Sequence, residues 1–524
     1  MKTIILTFLT YFFTSSVRTD EDVTRYMKFP SGFKLGVATS SYQIEGGWNA
    51  SDKGVNVWDR YVHEKPPYIR DGSNADVTSD SYHKYKEDIR ILNDLGVDCY
   101  RISLSWSRIL PTGFANKISR DGIQYYKNLL DDLQVEGIEP FVTIYHWDHP
   151  AILADMGGWT NEMMITWFAD YARVVFNELG DRIKMFVTIN EPMNSCVFSY
   201  NEPKIAPGPI IPGIATYLCL HNMLKAHAKV YHMYDKEYRS RQKGKIGITF
   251  GCMNYFPKHV EDTVTPEVSY SFNCGWAVDP IFSKNGDYPE VMKERIGENS
   301  KLEGYPRSRL PVFTQDEIDY IRGSADYMGL NHYTSRLTEP APKSNTSLWY
   351  NDHGVIESFD ASWPRSVSAW LRVVPKGFGY LLRKLKNRYN NPLIYVLENG
   401  ISDKGTSLND THRIQYLHDY IQEMLLAINR DNCTVKGYFV WSFLDSFEWA
   451  AGYSERYGIV SINFQHAARP RTPKMSYGWF KRLIQKRELP EIEHTEDRQN
   501  PDDRRISFLH HLYDFFIYHF SMHF

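Results

Sequence analysis

Two glutamates in this chain stand where apolar, β-branched runs break off: Glu191 in KMFVTINEP (184–192) and Glu398 in LIYVLENG (393–400). A carboxylate at the edge of a core is costly to desolvate unless it is paired or hydrogen-bonded. One such ending reads as a strand end reaching solvent; two invite a joint explanation. Two carboxyl groups across a pocket suit hydrolysis of a glycosidic bond. One, protonated, assists departure of the leaving oxygen, and the other, ionised, attacks or stabilises positive charge. Their environments must push their pKa values apart. Arg101, in VDCYRISLSW (97–106), is the candidate cation. Facing Glu398, it would keep that carboxylate ionised. Glu191, with no such cation close by and apolar strands around it, would hold its proton near neutral pH.

The elements that must position these residues show in short β-rich runs alternating with longer helical patterns. The runs cover 33–39, 97–106, 140–147, 184–191, 245–251, 326–334, 393–400 and 435–443. Between them, segments such as MMITWFADYARVVFNEL (163–179) and HRIQYLHDYIQEMLLAIN (412–429) repeat apolar residues every three or four positions. This alternation predicts an α/β fold with a parallel sheet and helical crossovers, and eight units close a (β/α)8 TIM barrel. The chain, at 524 residues, exceeds the usual barrel, so long βα-loop insertions are expected, the longest over 252–325.

A barrel places its chemistry at the C-terminal ends of its strands. There the sequence puts Gln43 and Glu45 after the first run, Arg101 in the second, and His146 and Trp147 ending the third. Asn190 and Glu191 end the fourth, Asn331 and Tyr333 lie near the end of the sixth, Glu398 ends the seventh and Trp441 lies in the eighth.

A hydrophobic share of 42% and a net charge of −3 describe a globular chain with a large core and no electrostatic footprint for nucleic acid. Lys2, an apolar run over 4–13 and the small residues Thr14, Ser15 and Ser16 have the layout of a secretory leader, so residues 1–16 are expected to be removed from a secreted, extracellular protein. The run is too short for a transmembrane span. Glycosylation sequons at Asn49, Asn345, Asn409 and Asn432 suit the same reading. The six cysteines lack metal-ligand spacing; Cys99 reads as a buried thiol, and disulfide connectivity stays open. His146 and His149 lack a third ligand, so no metal and no cofactor is expected. The barrel domain is expected over 25–490. A charged, then aromatic and histidine-rich extension over 491–524 is expected to be weakly ordered.

The motifs FPSGFKLGVATSSYQIEGGWN, YRISLSWSRILP, YHWDHP, TINEP, GLNHYTSR, VLENG and WSFLDSFEWAAGYSERYGIV follow one another in this order. With them the chain resembles glycoside hydrolase family 1 over about 29–483, and most of all its secreted insect β-glucosidases. The resemblance implies a retaining mechanism through a covalent glycosyl-enzyme, with Glu398 as nucleophile and Glu191 as acid/base. It implies that Arg101, Tyr333 and Asn331 support the nucleophile, and that Asn190 bonds the sugar 2-hydroxyl. Gln43, His146, Glu448 and Trp449 match positions that bind the glycone hydroxyls, and Trp441 matches the indole beneath the ring. Glu448 fits glucose-type hydroxyls and would repel a phosphorylated sugar.

The sequence departs from the family at His149 (usually leucine), at Leu397 (commonly threonine) and in YNEPKIAPG (200–208), which replaces a glycine-rich stretch. Three functions follow from the resemblance: hydrolysis of small-molecule β-glucosides, hydrolysis of glucosinolates by a thioglucosidase (myrosinase), or a catalytically weak binding role. The last would be marked by loss of a glutamate, and both are present. Met193 and Asn194 are candidates for the aglycone surface, and Arg336 for a cation facing an aglycone sulfate. Oligomeric state is not legible.

Overall fold

A computed structural model describes residues 25–492, except 65–67, 202–204, 208–209 and 344–347. The expected leader, Asn345 and nearly all of the C-terminal extension lie outside the described residues. In chain order the strands are β1 (Lys34–Ala38), β2 (Cys99–Ser103), β3 (Glu139–Tyr145), β4 (Met185–Asn190), β5 (Lys245–Gly251) and β6 (Asn254–Pro257). They continue as β7 (Tyr327–Asn331), β8 (Ser335–Pro340), β9 (Val355–Ser358), β10 (Ile394–Asn399), β11 (Val435–Trp441), β12 (Val460–Ile462) and β13 (Arg471–Pro473). Eight of them close a parallel barrel in the order β1-β11-β10-β7-β5-β4-β3-β2. These are the eight runs read from the sequence, and the fold is the (β/α)8 barrel.

The helices follow from apolar spacing. Met164–Leu179 and Thr411–Asn429 bury residues such as Ile165, Phe168, Ala172, Val175 and Leu179, or Ile414, Leu417, Ile421, Leu425 and Ile428, along one face. The insertion over 252–325 holds β6 and several helices. Its last helix, Gln315–Ile321, opens with a capping box in which Thr314 and Glu317 satisfy each other's backbone donors. Strands β6, β8 and β9 form a separate three-stranded sheet after the barrel strands, and β12 pairs with β13.

Below the catalytic end the barrel is filled by aromatic rings set against glycines. Phe141 lies 4.8 Å from Phe439 and 5.3 Å from Tyr395, and Tyr395 lies 5.2 Å from Tyr327. A Cβ at Gly247 would stand 2.5 Å from the Tyr327 ring and one at Gly437 2.7 Å from the Tyr395 ring, so only glycine leaves room for them. This plug leaves polar residues to the C-terminal end. The register then aligns them: Gly251 on β5 pairs with Asn331 on β7, and Asn331 with Glu398 on β10 across a register shift.

Cys99 is a buried free thiol, as expected, and Cys433 is another. Cys196 pairs with Cys219, and Cys252 with Cys274. Among the described residues no helix is long and apolar enough to cross a membrane.

Candidate active site

Glu191 directly follows β4 and caps the helix Pro192–Tyr200, with a left-handed backbone (φ 45°). Trp147 (φ 73°) and Trp449 (φ 47°) adopt the same conformation, which non-glycine residues hold at a cost of about 1–3 kcal/mol each. Glu191 and Trp147 lie just beyond barrel strands, and Trp449 opens a short turn in the loop after β11. Pro192 fits the first helical turn because its missing N–H would have had no helical partner. The Glu191 N–H donates to Thr249 O at 2.8 Å, which anchors the strained residue to β5.

Arg101 is fully buried in the barrel and organises the two sides of the site. Its Nη1 donates to Glu398 Oε1 at 2.6 Å and its Nη2 to Asn190 Oδ1 at 2.6 Å. Its Nε donates to Thr143 Oγ1 at 3.1 Å and Nη1 also reaches Leu397 O at 3.3 Å. Tyr333 donates its hydroxyl to Glu398 Oε2 at 2.7 Å. Burial and the neighbouring Glu398 charge raise the Tyr333 phenol, so it stays a donor.

The two carboxyls differ as the sequence led us to expect, with one correction. Burial and the Glu398 charge push Glu191 up to about 8, opposed by a hydrogen bond from Asn331 and, more weakly, by Arg101. Burial also raises Glu398. Arg101 and Tyr333 oppose that rise without cancelling it. Arg101 therefore favours the Glu398 carboxylate relative to Glu191 rather than holding it in the ordinary carboxylate range.

Asn331 was expected at the nucleophile. Its Nδ2 instead donates to Glu191 Oε1 at 2.7 Å and to Asn190 Oδ1 at 3.2 Å, and it only weakly favours the Glu398 carboxylate. It belongs mainly to the acid side. With Asn190 Oδ1 accepting from Arg101 and Asn331, the Asn190 amide faces His146 with Nδ2, 3.1 Å from Nε2. Burial, with the Arg101 charge, holds His146 neutral. Its Nε2 accepts from Asn190, so the ring proton sits on Nδ1, which is buried without a protein partner.

His146 is about parallel to two indoles, those of Trp441 (6.0 Å, 19°) and Trp449 (6.0 Å, 20°). Trp449 in turn stacks on Tyr42 at 6.1 Å and 7°. Gln43 donates from Nε2 to Phe447 O at 2.9 Å and to Glu448 Oε2 at 3.1 Å, while Ser40 donates to its Oε1 at 2.7 Å. Both amide protons are thus in use, and what Gln43 retains for a ligand is a lone pair on Oε1. Glu448 is half-buried, and burial with the charges of Glu455 and Glu398 raises its carboxyl well above the usual range. Glu45 is not part of this group: Arg108 and Tyr126 satisfy it at 2.9 and 2.7 Å.

Three aglycone candidates divide. Met193 is buried and Asn194 half-buried beside Glu191 on the helix it caps, and Asn194 Oδ1 has no protein partner. Arg336 is buried on β8, its guanidinium 4.2 Å from the centre of the Phe359 ring and opposed by the charge of Glu357. Arg336 is thus not an exposed cation: burial lowers its guanidinium, and the Glu357 charge opposes that shift without cancelling it.

Two residues were missed. Trp370 is 40% exposed with its ring 5.5 Å from that of Tyr333, edge to face, and it sits on a loop with no periodicity to announce it. Gly251 ends β5 against the acid side: a Cβ there would stand 2.8 Å from the Glu191 carboxyl carbon and 3.0 Å from Asn194 Oδ1. An isolated glycine ending ITFG was the available signal.

With this geometry in hand, the comparisons with known proteins are specific. The family model described as glycosyl hydrolase family 1 matches residues 25–489. Myrosinase 1 of Brevicoryne brassicae is 44% identical over 465 residues, covering 87% of this chain and 98% of the relative. Human cytosolic β-glucosidase is 40% identical over 463 residues, covering 87% and 98%. Among solved structures, aphid myrosinase superposes with a TM-score of 0.84 at 43% identity, covering 87% of this chain and 99% of that one. A rice β-glucosidase mutant in covalent complex with glucose superposes at 0.82 with 36% identity, covering 87% and 98%.

Proposed function

The chain belongs to glycosyl hydrolase family 1 and is a retaining β-glycosidase, and we propose that Glu398 is its nucleophile and Glu191 its acid/base in the hydrolysis of β-D-glucosides. The observation that carries this reading is the contrast between two buried carboxyls at the ends of β4 and β10, strands that β5 and β7 separate in the barrel. Glu398 accepts from a guanidinium and a phenol, while Glu191 is pushed up to about 8. Glu398 attacks the anomeric carbon, and Glu191 gives its proton to the departing oxygen. With the Glu398 charge then consumed in the glycosyl ester, the repulsion that raised Glu191 falls, and Glu191 takes a proton from the incoming water. His146 and Glu448 hold the glycone hydroxyls against Trp441 and Trp449, and Asn190 donates from Nδ2 to the 2-hydroxyl. A site of this kind discriminates because a missing hydroxyl leaves buried polar atoms unpaired.

Thioglucosidase activity is the second reading, favoured by the similarity to aphid myrosinase. Retention of Glu191 does not separate the two, since it would serve either leaving group. The chain is also proposed to be exported and glycosylated. Two disulfides and the exposed sequons Asn49, Asn409 and Asn432 support that reading. The test is an aryl β-glucoside and a glucosinolate assayed side by side on protein recovered from the medium of secreting cells. Turnover of the O-glucoside is expected, and its absence would remove the proposal.

A further inference from the structure

Tyr333 is followed by a hydroxyl that ties the site to a cationic turn. Thr334 Oγ1 donates to Arg372 O at 2.8 Å and accepts from the Arg372 N–H at 3.1 Å. Arg372 pairs through its backbone with Arg365. The segment 365–372 is thereby folded into a turn that carries Trp370 against Tyr333. Three arginines meet on this side. Arg336 and Arg372 each hold a guanidinium 4.2 Å from the centre of the Phe359 ring.

Their charges are not equally balanced. Arg336 is buried and faces Glu357. Arg372 is half-buried and its Nη1 donates only to the carbonyls of Ala369 and Leu371, both at 3.0 Å. Arg365 is exposed. Among the described residues neither Arg365 nor Arg372 forms an ion pair. Burial, and after it the Arg365 charge, push the Arg372 guanidinium down. Two uncompensated cations beside an exposed indole are relieved when an anion enters between them.

We infer that the turn 365–372 is an anion-recognising edge of the aglycone site, in which Arg365 and Arg372 take a carboxylate or sulfate carried by the leaving group while Trp370 stacks on its apolar part. A planar guanidinium matches either oxyanion with paired hydrogen bonds. The inference rests on the proposed glycosidase reading and deepens it by naming the class of aglycone. It also moves the cation from Arg336, which is buried and faces Glu357, to two more accessible residues.

The test uses the intact protein and two matched substrate pairs: 4-carboxyphenyl β-glucoside with its methyl ester, and a glucosinolate with its desulfo form. The readout is the ratio of kcat/KM for the anionic over the neutral member, in wild type, R365Q, R365Q/R372Q and R372K. In the double variant the ratio is expected to fall about tenfold, or ~1.4 kcal/mol, and in R365Q by a smaller factor. R372K, which keeps the charge, should retain most of it. Salt near about 0.5 M should lower the ratio in wild type and not in the double variant. A response confined to the first pair assigns the edge to carboxylate aglycones, and one confined to the second to sulfate. An unchanged ratio for both pairs in R365Q and the double variant, with the methyl ester still hydrolysed, overturns the inference and leaves the glycosidase reading standing. Failure of wild type to hydrolyse any of the four removes that reading and the inference with it.

Discussion

Replacing Tyr333 by Phe removes one hydroxyl and makes a specific demand on the pH profile. Glu398 Oε2 accepts from that hydroxyl at 2.7 Å, while Oε1 accepts from Arg101 at 2.6 Å. Y333F leaves the Arg101 contact in place and strips Oε2 of its donor in a buried setting. A hydrogen bond to a charged group is worth about 1.5–3 kcal/mol, and each pKa unit is about 1.36 kcal/mol. The Glu398 pKa should therefore rise by about 1–2 units. Because the nucleophile must be ionised, the acid limb of kcat/KM moves up by that amount. The alkaline limb, set by loss of the Glu191 proton near about 8, stays or recedes slightly as the repelling charge becomes less available. The pH window narrows from its acid side. The assay is kcat/KM for an aryl β-glucoside from acid to alkaline pH in both proteins. An acid limb that stays fixed or moves to lower pH would refute the assignment of that limb to Glu398 and the role of Tyr333 with it.

E398Q should abolish turnover, whereas E191Q should lose about 10²–10⁴-fold on a poor leaving group, far less on a nitrophenolate, and lose its alkaline limb; equal losses on both leaving groups would count against Glu191 as the acid. G251A sets a Cβ 2.8 Å from the Glu191 carboxyl carbon, which must retreat by about 1 Å to reach normal contact. A displacement of that size should lower kcat about 10²-fold on poor leaving groups with less change in KM, and wild-type kinetics would show that the carboxyl is not held there. Asp148 is buried, with one oxygen unpartnered and its pKa pushed up to about 7 by burial. The folded state therefore holds that proton more tightly than the unfolded chain, and stability falls as pH rises from about 4 to about 7, by at most about 4 kcal/mol. D148N should flatten that dependence and raise Tm at pH 7; an unchanged profile would remove Asp148 as its cause.

The pairing of Arg101 with Glu398 was legible because strand ends at a barrel mouth converge and a buried carboxylate needs a cation. The side on which Asn331 acts was not, since its partners on β4 and β10 lie at the same level and side-chain direction alone decides between them. Arg336 reads from sequence as a free cation because its partners, Glu357 and Phe359, come from β9 and the loop beyond it. Trp370 lies on a loop held by Thr334, and no local pattern encodes that contact. The cysteine pairs were equally hidden, because spacing constrains connectivity only loosely. The eight strands were easy by contrast: each is a short buried run, and closure leaves little choice of order.

Arg101 grips β3 through Thr143, β4 through Asn190 and β10 through Glu398 and Leu397, while itself belonging to β2. It works as a gauge block set between the strand that delivers the proposed acid and the strand that delivers the proposed nucleophile. Retention requires the two carboxyls to stand about 5–5.5 Å apart, and inversion a wider gap. The stereochemical outcome is thus held by a guanidinium anchored inside the barrel. The leaving group is chosen by loops such as 365–372 at its rim. Loops can be rebuilt without resetting the gauge, so substrate range and stereochemistry are mechanically separate properties of this molecule.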